Sequence, residues 1–206
     1  MVKKLLSAST HIALCLYSGI AASNGITNFD EILGAPQKGQ LSKYYLVISG
    51  LEIGNSTLSD VFAKISTPTS FSKKTPREIP YICVKSDDGK AEVHFESGAM
   101  GGWSDLTSVV FSTPGFFTSR KCHTSNSAPK ASLHGLQLGM TQDQVIQTIN
   151  SPPTYRTNNR LEISFELPTS LELNNEHLQG VKSTGFIGLF SSNRLIAYTV
   201  YAIESY

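Results

Sequence analysis

The sequence predicts an α+β fold of two tandem units, each with short helices packed on one face of an antiparallel sheet of three to four strands. Three observations carry that expectation. A helix-start motif occurs twice, a proline stops the helix behind each copy, and three runs rich in β-branched and aromatic residues follow each stop. The chain has 206 residues, 40% of them hydrophobic and 16% charged, which is enough apolar material for one or two small cores.

The N-terminus reads as a targeting segment. Lys3 and Lys4 form a basic start, Ile12 to Tyr17 an apolar stretch, and Ser18, Gly19, Ala21, Ala22 and Ser23 a small-residue exit, the layout of a secretory signal peptide over residues 1–23. The stretch is too short, and too interrupted by Ser9, Thr10 and His11, to span a bilayer core of about 30 Å, so no stable membrane anchor is expected. Leu14 before Cys15 departs from a lipobox, so a lipoprotein is not expected. Cleavage before Asn24 removes two lysines and no acids, leaving 15 basic against 16 acidic side chains and a formal charge of −1. Nucleic-acid binding, which rests on a basic surface, is therefore not expected.

Residues 24–42 form a polar leader, and the first unit occupies 43–115. It opens on Gly50-Leu51-Glu52-Ile53-Gly54 and continues through Thr57 to Pro68. Thr57 can cap the first helical turn, and Asp60, three residues on, completes a capping box. Val61, Phe62 and Ile65 then mark a narrow apolar stripe, and Pro68 cannot continue the helix. Strands follow at Ile79 to Lys85, Lys90 to Ser97 and Leu106 to Thr113, parted by Asp87-Asp88-Gly89 and Gly98 to Gly102.

A linker rich in Ser, Thr, Asn and Pro spans 116–133, and the second unit spans 134–206. Gly135-Leu136-Gln137-Leu138-Gly139 echoes the first opening at a distance of 85 residues, while Thr141, Val145, Ile149 and Pro152 repeat Thr57, Val61, Ile65 and Pro68 at 84. One extra residue in the first turn accounts for the slip. Strands are expected at Leu161 to Leu167, Gly185 to Phe190 and Leu195 to Ile203, with a tight turn at Ser191-Ser192-Asn193.

The string Leu136-x-Leu138-Gly139-Met140-Thr141, with Val145, Ile149 and Pro152 behind it, resembles the helical signature of the BamE (SmpA/OmlA) family and of the β-lactamase-inhibitor-protein superfamily. The resemblance covers residues 43–206 if both copies count, and its motif is short. It implies helices on one face of an antiparallel sheet, and a protein that binds other proteins: within envelope assembly machinery for the first group, or by laying a concave sheet of two units onto an enzyme for the second. BamE proteins are lipoproteins with a single unit, and the inhibitor-protein disulfides lie within each unit, so both identities meet a departure here.

Cleavage also removes Cys15 and leaves Cys83 and Cys122. An even pair in an oxidising compartment reads as one disulfide, with two buried thiols as the alternative. It would close a loop of about 40 residues and stabilise by about 3–4 kcal/mol in the chain-entropy account. No cofactor or metal site is expected: Cys122-His123 with His134 matches no usual ligand spacing, and the outward rows Glu92, His94, Glu96 and Glu162, Ser164, Glu166 read as solvated faces. Hydrolase chemistry lacks a Gly-x-Ser-x-Gly elbow, and Gly98 to Gly102 lacks the Lys and Ser/Thr of a phosphate loop. Lys73-Lys74-Thr75-Pro76-Arg77, the one basic cluster, reads as a solvated loop able to steer an acidic partner.

The expected function is that of an exported, non-enzymatic protein-binding module, inhibitor-like or envelope-assembly-like, whose partner is another protein of the envelope or the exterior. Its candidate anchors are the aromatics Tyr81, Trp103, Tyr155, Tyr198 and Tyr201. Tyr198 and Tyr201 stand three apart, on opposite faces of a regular strand, so at least one is expected outward. The alternative is a periplasmic small-ligand or lipid-binding protein using the crevice between the units.

Overall fold

A computed structural model of the chain describes residues 34–65, 80–98, 104–173 and 176–206. The expected signal peptide, most of the leader, Pro68, the basic cluster at 73–77, residues 99–102 of the glycine-rich connection and Trp103 lie outside the described residues.

Both echoes fold alike. The first begins with a two-residue hairpin, β2 (Val47–Ile48) and β3 (Leu51–Glu52), turned by Ser49 and Gly50 at φ 50° and 72°. The second, β7 (Ser132–Leu133) and β8 (Leu136–Gln137), turns on His134 and Gly135 at φ 49° and 91°. Two successive positive φ values favour glycine at the second place, which explains why Gly50 and Gly135 open the repeat. A capped helix follows in each. In α1 (Leu58–Ile65) the Thr57 N–H and hydroxyl both donate to the Asp60 carboxylate, at 2.8 and 2.9 Å, and the Asp60 N–H donates back to the Thr57 hydroxyl. In α2 (Gln142–Ile149) the Gln144 N–H donates to Thr141 Oγ1 and the Thr141 N–H to Gln144 Oε1, and Asn150 ends the helix in the left-handed conformation. Val61, Ile65, Val145 and Ile149 are buried, whereas Phe62, expected on the stripe, is exposed.

The fold differs from the expected α+β pair of units. It is mostly β: one mixed sheet of eight strands, with two α-helices and a single 3-10 turn (Lys43–Leu46) among the described residues. The first copy supplies β4 (Tyr81–Lys85), β5 (Glu92–Ser97) and β6 (Leu106–Ser112); the second supplies β10 (Arg160–Leu173), β11 (Glu176–Ser191) and β12 (Arg194–Ser205). Each trio is an antiparallel meander, as β-branched runs with short turns dictate. They do not close into separate sheets, because β6 and β12 pair with each other from Ser108↔Tyr201 to Ser112↔Ala197. Last strand meets last strand, antiparallel, and hydrogen bonding runs on through both copies. At the far edge β1 (Gln37–Lys38) joins β10 in parallel and β9 (Tyr155–Arg156) joins it antiparallel.

Alternation sends Ile82, Val84, Val93, Phe95, Val109, Phe111, Leu161, Ile163, Phe186, Tyr198 and Val200 to one face, where both helices lie, and the buried residues of both copies form one cluster there. At its centre the Tyr198 ring stacks on Phe111, with centroids 4.8 Å apart and planes 9° from parallel. No described helix is long and apolar enough to cross a membrane.

Candidate functional site

The outer sheet face was expected to be solvated, and it is largely covered. Strand alternation places Tyr81 and Cys83 of β4 and Glu92, His94 and Glu96 of β5 on it. After β6 the chain returns along the free edge of β4. The Lys85 N–H donates to the His123 carbonyl at 2.8 Å, and the His123 N–H to the Cys83 carbonyl at 3.1 Å. That short parallel bridge brings Cys122 onto Cys83, and the two form the expected disulfide. Upstream, the Phe117 ring meets His94 edge-on at 4.8 Å, and the Arg120 guanidinium sits over the rings of Tyr81 and Phe117 at 4.5 and 4.6 Å. Arg120 Nη1 also donates to Glu96 Oε1 and lies 3.4 Å from His94 Nδ1. A guanidinium only donates, so Nδ1 is the acceptor and Nε2 carries the ring proton, aimed at Cys83 Sγ 3.6 Å away.

His94 is fully buried. Burial, with the Arg120 charge beside it, lowers its pKa from 6.5 to about 3. The folded imidazole therefore stays neutral where the unfolded chain binds a proton. Stability from this group is whole above pH 6.5 and falls by about 1.4 kcal/mol per pH unit below it, until the folded pKa is reached. Urea melts of the oxidised protein at pH 7 and pH 5 should differ by about 2 kcal/mol on account of His94. The same pair of melts on His94→Gln should lack that part, and an unchanged difference would exclude the assignment.

The second copy carries a related arrangement. The Arg160 guanidinium pairs with Glu162 and lies over the Tyr155 ring at 5.7 Å. Beside them Tyr201, also on the outer face, is buried, because Gly185 directly opposite lets its ring lie flat across β11. A Cβ at Gly185 would stand 2.7 Å from the Tyr201 hydroxyl oxygen and 2.6 Å from the Ile163 carbonyl oxygen. Burial and the Glu162 and Glu166 carboxylates push the phenol's pKa up, so it stays protonated.

The expected aromatic anchors that are described, Tyr81, Tyr155, Tyr198 and Tyr201, do not form one exposed cluster. Tyr81 and Tyr155 are half-buried under arginines in different copies, and Tyr198 is in the core. Tyr198 and Tyr201 do lie on opposite faces, yet both are buried, since the second face is covered too. Reading the sequence missed Arg120, Phe117 and Arg160. The signal that was present is a carboxylate row, Glu92 to Glu96 and Glu162 to Glu166, that calls for cations once its face is covered.

Comparison with protein-family models, curated proteins and solved structures finds no match. Function therefore rests on geometry.

Two further features lie at the surface. β10 and β11 outrun their neighbours: β1 and β9 pair with β10 no further than Glu166, and β12 ends opposite Val181. The hairpin beyond, up to Leu173↔Glu176, stands out as a two-stranded arm. The inward stripe of β10, Leu161, Ile163 and Phe165, continues along it as Leu167 and Leu171, exposed at 38% and 37%, with Leu178 facing Leu171 on the partner strand. Near the arm's base a cavity of about 310 Å³ opens between the copies, lined by Asp105 and Thr107 from the first and Lys182, Glu204 and Tyr206 from the second.

Proposed function

We propose that the protein is an exported, non-enzymatic protein-binding module that engages its partner through the β10–β11 arm. The single observation that carries this reading is the pair of exposed leucines, Leu167 and Leu171, on one face past the edge of the core, with the half-buried Leu178 opposite Leu171. A two-stranded ribbon is marginal alone in water, and an exposed leucine stripe is stabilised by a covering surface. Pro168 lacks an N–H, which blunts the strand edge of β10 and favours contact through the leucine face over strand addition.

Export is supported by the Cys83–Cys122 disulfide, a bond that persists in oxidising compartments, together with the basic start and small-residue exit of residues 1–23. The periplasm or the exterior is the proposed location, with an inhibitor-like or envelope-assembly-like role. The repeated hairpin and capped helix support kinship with the BamE-like and inhibitor-like group at the level of that element.

A photo-cross-linking residue at position 171 should trap one protein species from the envelope or culture fluid of the source cell, and one at Lys85, on the opposite side of the sheet, should not. Leu171→Asp should abolish capture while leaving the melting temperature within about 2 °C, as befits an exposed position. Equal trapping at 171 and 85 would sink the arm as the docking element.

The cavity between the copies supports a second reading, a small-ligand protein. A lining that holds Asp105, Glu204 and Lys182 suits a small zwitterionic ligand better than a lipid tail. Native mass spectrometry of the purified protein separates the two: a retained small molecule lost in Lys182→Ala favours the cavity.

A further inference from the structure

We propose that reduction of the Cys83–Cys122 disulfide opens a zinc site built from Cys83, Cys122 and His94. Cys83 Sγ, Cys122 Sγ and a ring nitrogen of His94 all lie within 4.8 Å of one another, and His94 Nε2 is 3.6 Å from Cys83 Sγ. In a tetrahedral site with zinc–sulfur bonds of about 2.3 Å and zinc–nitrogen bonds of about 2.0 Å, donor atoms stand about 3.5–3.8 Å apart. The widest pair must close by about 1 Å and the two sulfurs must separate. The scaffold permits both movements. Cys83 and His94 are opposite partners on the paired strands β4 and β5, a rigid floor, while Cys122 comes from the irregular segment that follows β6.

The donor set selects the ion. Two thiolates and an imidazole are soft ligands suited to zinc, whereas calcium and magnesium require oxygen donors. Charge agrees: two thiolates neutralise the dication, and Arg120 with Glu96 beside it is already a neutral pair, so a buried site gains no net charge. Cys122 is half-buried, and through that side water reaches the fourth coordination position. His94 needs one adjustment. Zinc takes the place of the proton on Nε2, the ring carries its proton on Nδ1 instead, and Arg120 gives up that contact and stays on Glu96.

The redox step balances with a dithiol reductant. Its two thiols are oxidised to a disulfide, the Cys83–Cys122 bond takes both electrons and breaks, and each sulfur receives one proton. Zinc then displaces the two thiol protons. Oxidised chain and zinc-loaded chain are alternatives at one place, with the buried His94 common to both.

The test uses the mature chain from Asn24 with a phosphine as reductant in the tube, zinc as ligand and cobalt(II) as its spectroscopic stand-in. The reduced chain should bind one zinc, give a thiolate-to-cobalt charge-transfer band, and melt at higher temperature with zinc than without, or refold on adding zinc if reduction has unfolded it. The oxidised chain should show none of these, and His94→Ala should bind zinc at least tenfold more weakly. Should His94→Ala fail to fold, Cys122→Ser, which leaves β5 untouched, replaces it with the same expectation. The proposal is overturned if the reduced chain shows neither the band nor a zinc-dependent change in melting, if the ligand variant binds zinc as well as its parent, or if the oxidised chain binds equally.

Discussion

Val145→Asp, under α2, should unfold the chain as a whole, and Val61→Asp, under α1, should do the same. Both valines have no exposed surface and sit in the apolar cluster under the helices. A buried unpaired charge belongs to the short class of changes that cost more than about 4 kcal/mol, against a total of about 5–15 kcal/mol for a domain. The informative part is what else is lost. Were the copies independent, Val61→Asp would melt β4 to β6 and spare β10 to β12. In this fold β6 and β12 share a ladder from Ser108↔Tyr201 to Ser112↔Ala197, and Phe111 of one copy stacks on Tyr198 of the other. Amide-exchange protection in β5 and β11 should therefore disappear together in either variant. Retained protection in β11 of Val61→Asp would restore the picture of two separate units.

The repeat was legible because it is written in local chemistry. Thr57 with Asp60 and Thr141 with Gln144 specify capped helix starts, and the glycines before them specify tight turns, whatever the rest of the chain does. The tight turn at Ser191 to Asn193 is of the same kind, with Ser192 and Asn193 both at positive φ. What pairs with what across the sheet is not local. Nothing in Leu106 to Ser112 announces that its second neighbour is β12 rather than a fourth strand of its own unit, and that one pairing turns two sheets into one. Strand ends were equally obscured. The strand expected to end at Leu167 runs on to Leu173, with Pro168 tolerated as an edge residue opposite Val181.

The outer face failed for a related reason. Alternation correctly separated Glu92, His94 and Glu96 from Val93 and Phe95, but polarity alone does not say whether a face meets water or chain. The segment after β6, expected as a linker, instead folds back on β4 and carries Phe117, Arg120 and Cys122 over that row. The disulfide fixes the fold-back in place. It is this cover that makes His94 a buried neutral imidazole beside two sulfurs, and so a group whose chemistry depends on the state of the bond next to it.

Tyr198→Ala should destabilise by about 3–5 kcal/mol, and Tyr198→Phe by only about 1 kcal/mol. The ring is 1% exposed and lies between two others, Phe111 at 4.8 Å and Phe186 at 5.7 Å, all near parallel. Removing it empties the joint where the copies meet, and neighbours held by strand pairing on both sides collapse little into the gap. The hydroxyl is a smaller matter: it donates to the Leu136 carbonyl at 3.2 Å, tying the β7–β8 hairpin to the sheet, and phenylalanine keeps the packing while losing that one bond. Read as an exposed anchor for a partner, the same residue would give the opposite pattern, with alanine leaving stability intact and weakening binding. Denaturant midpoints of the two variants decide between these roles. A Tyr198→Ala midpoint equal to that of the parent chain would show that the shared core does not depend on this ring, and the single-sheet account of cooperativity would fall with it.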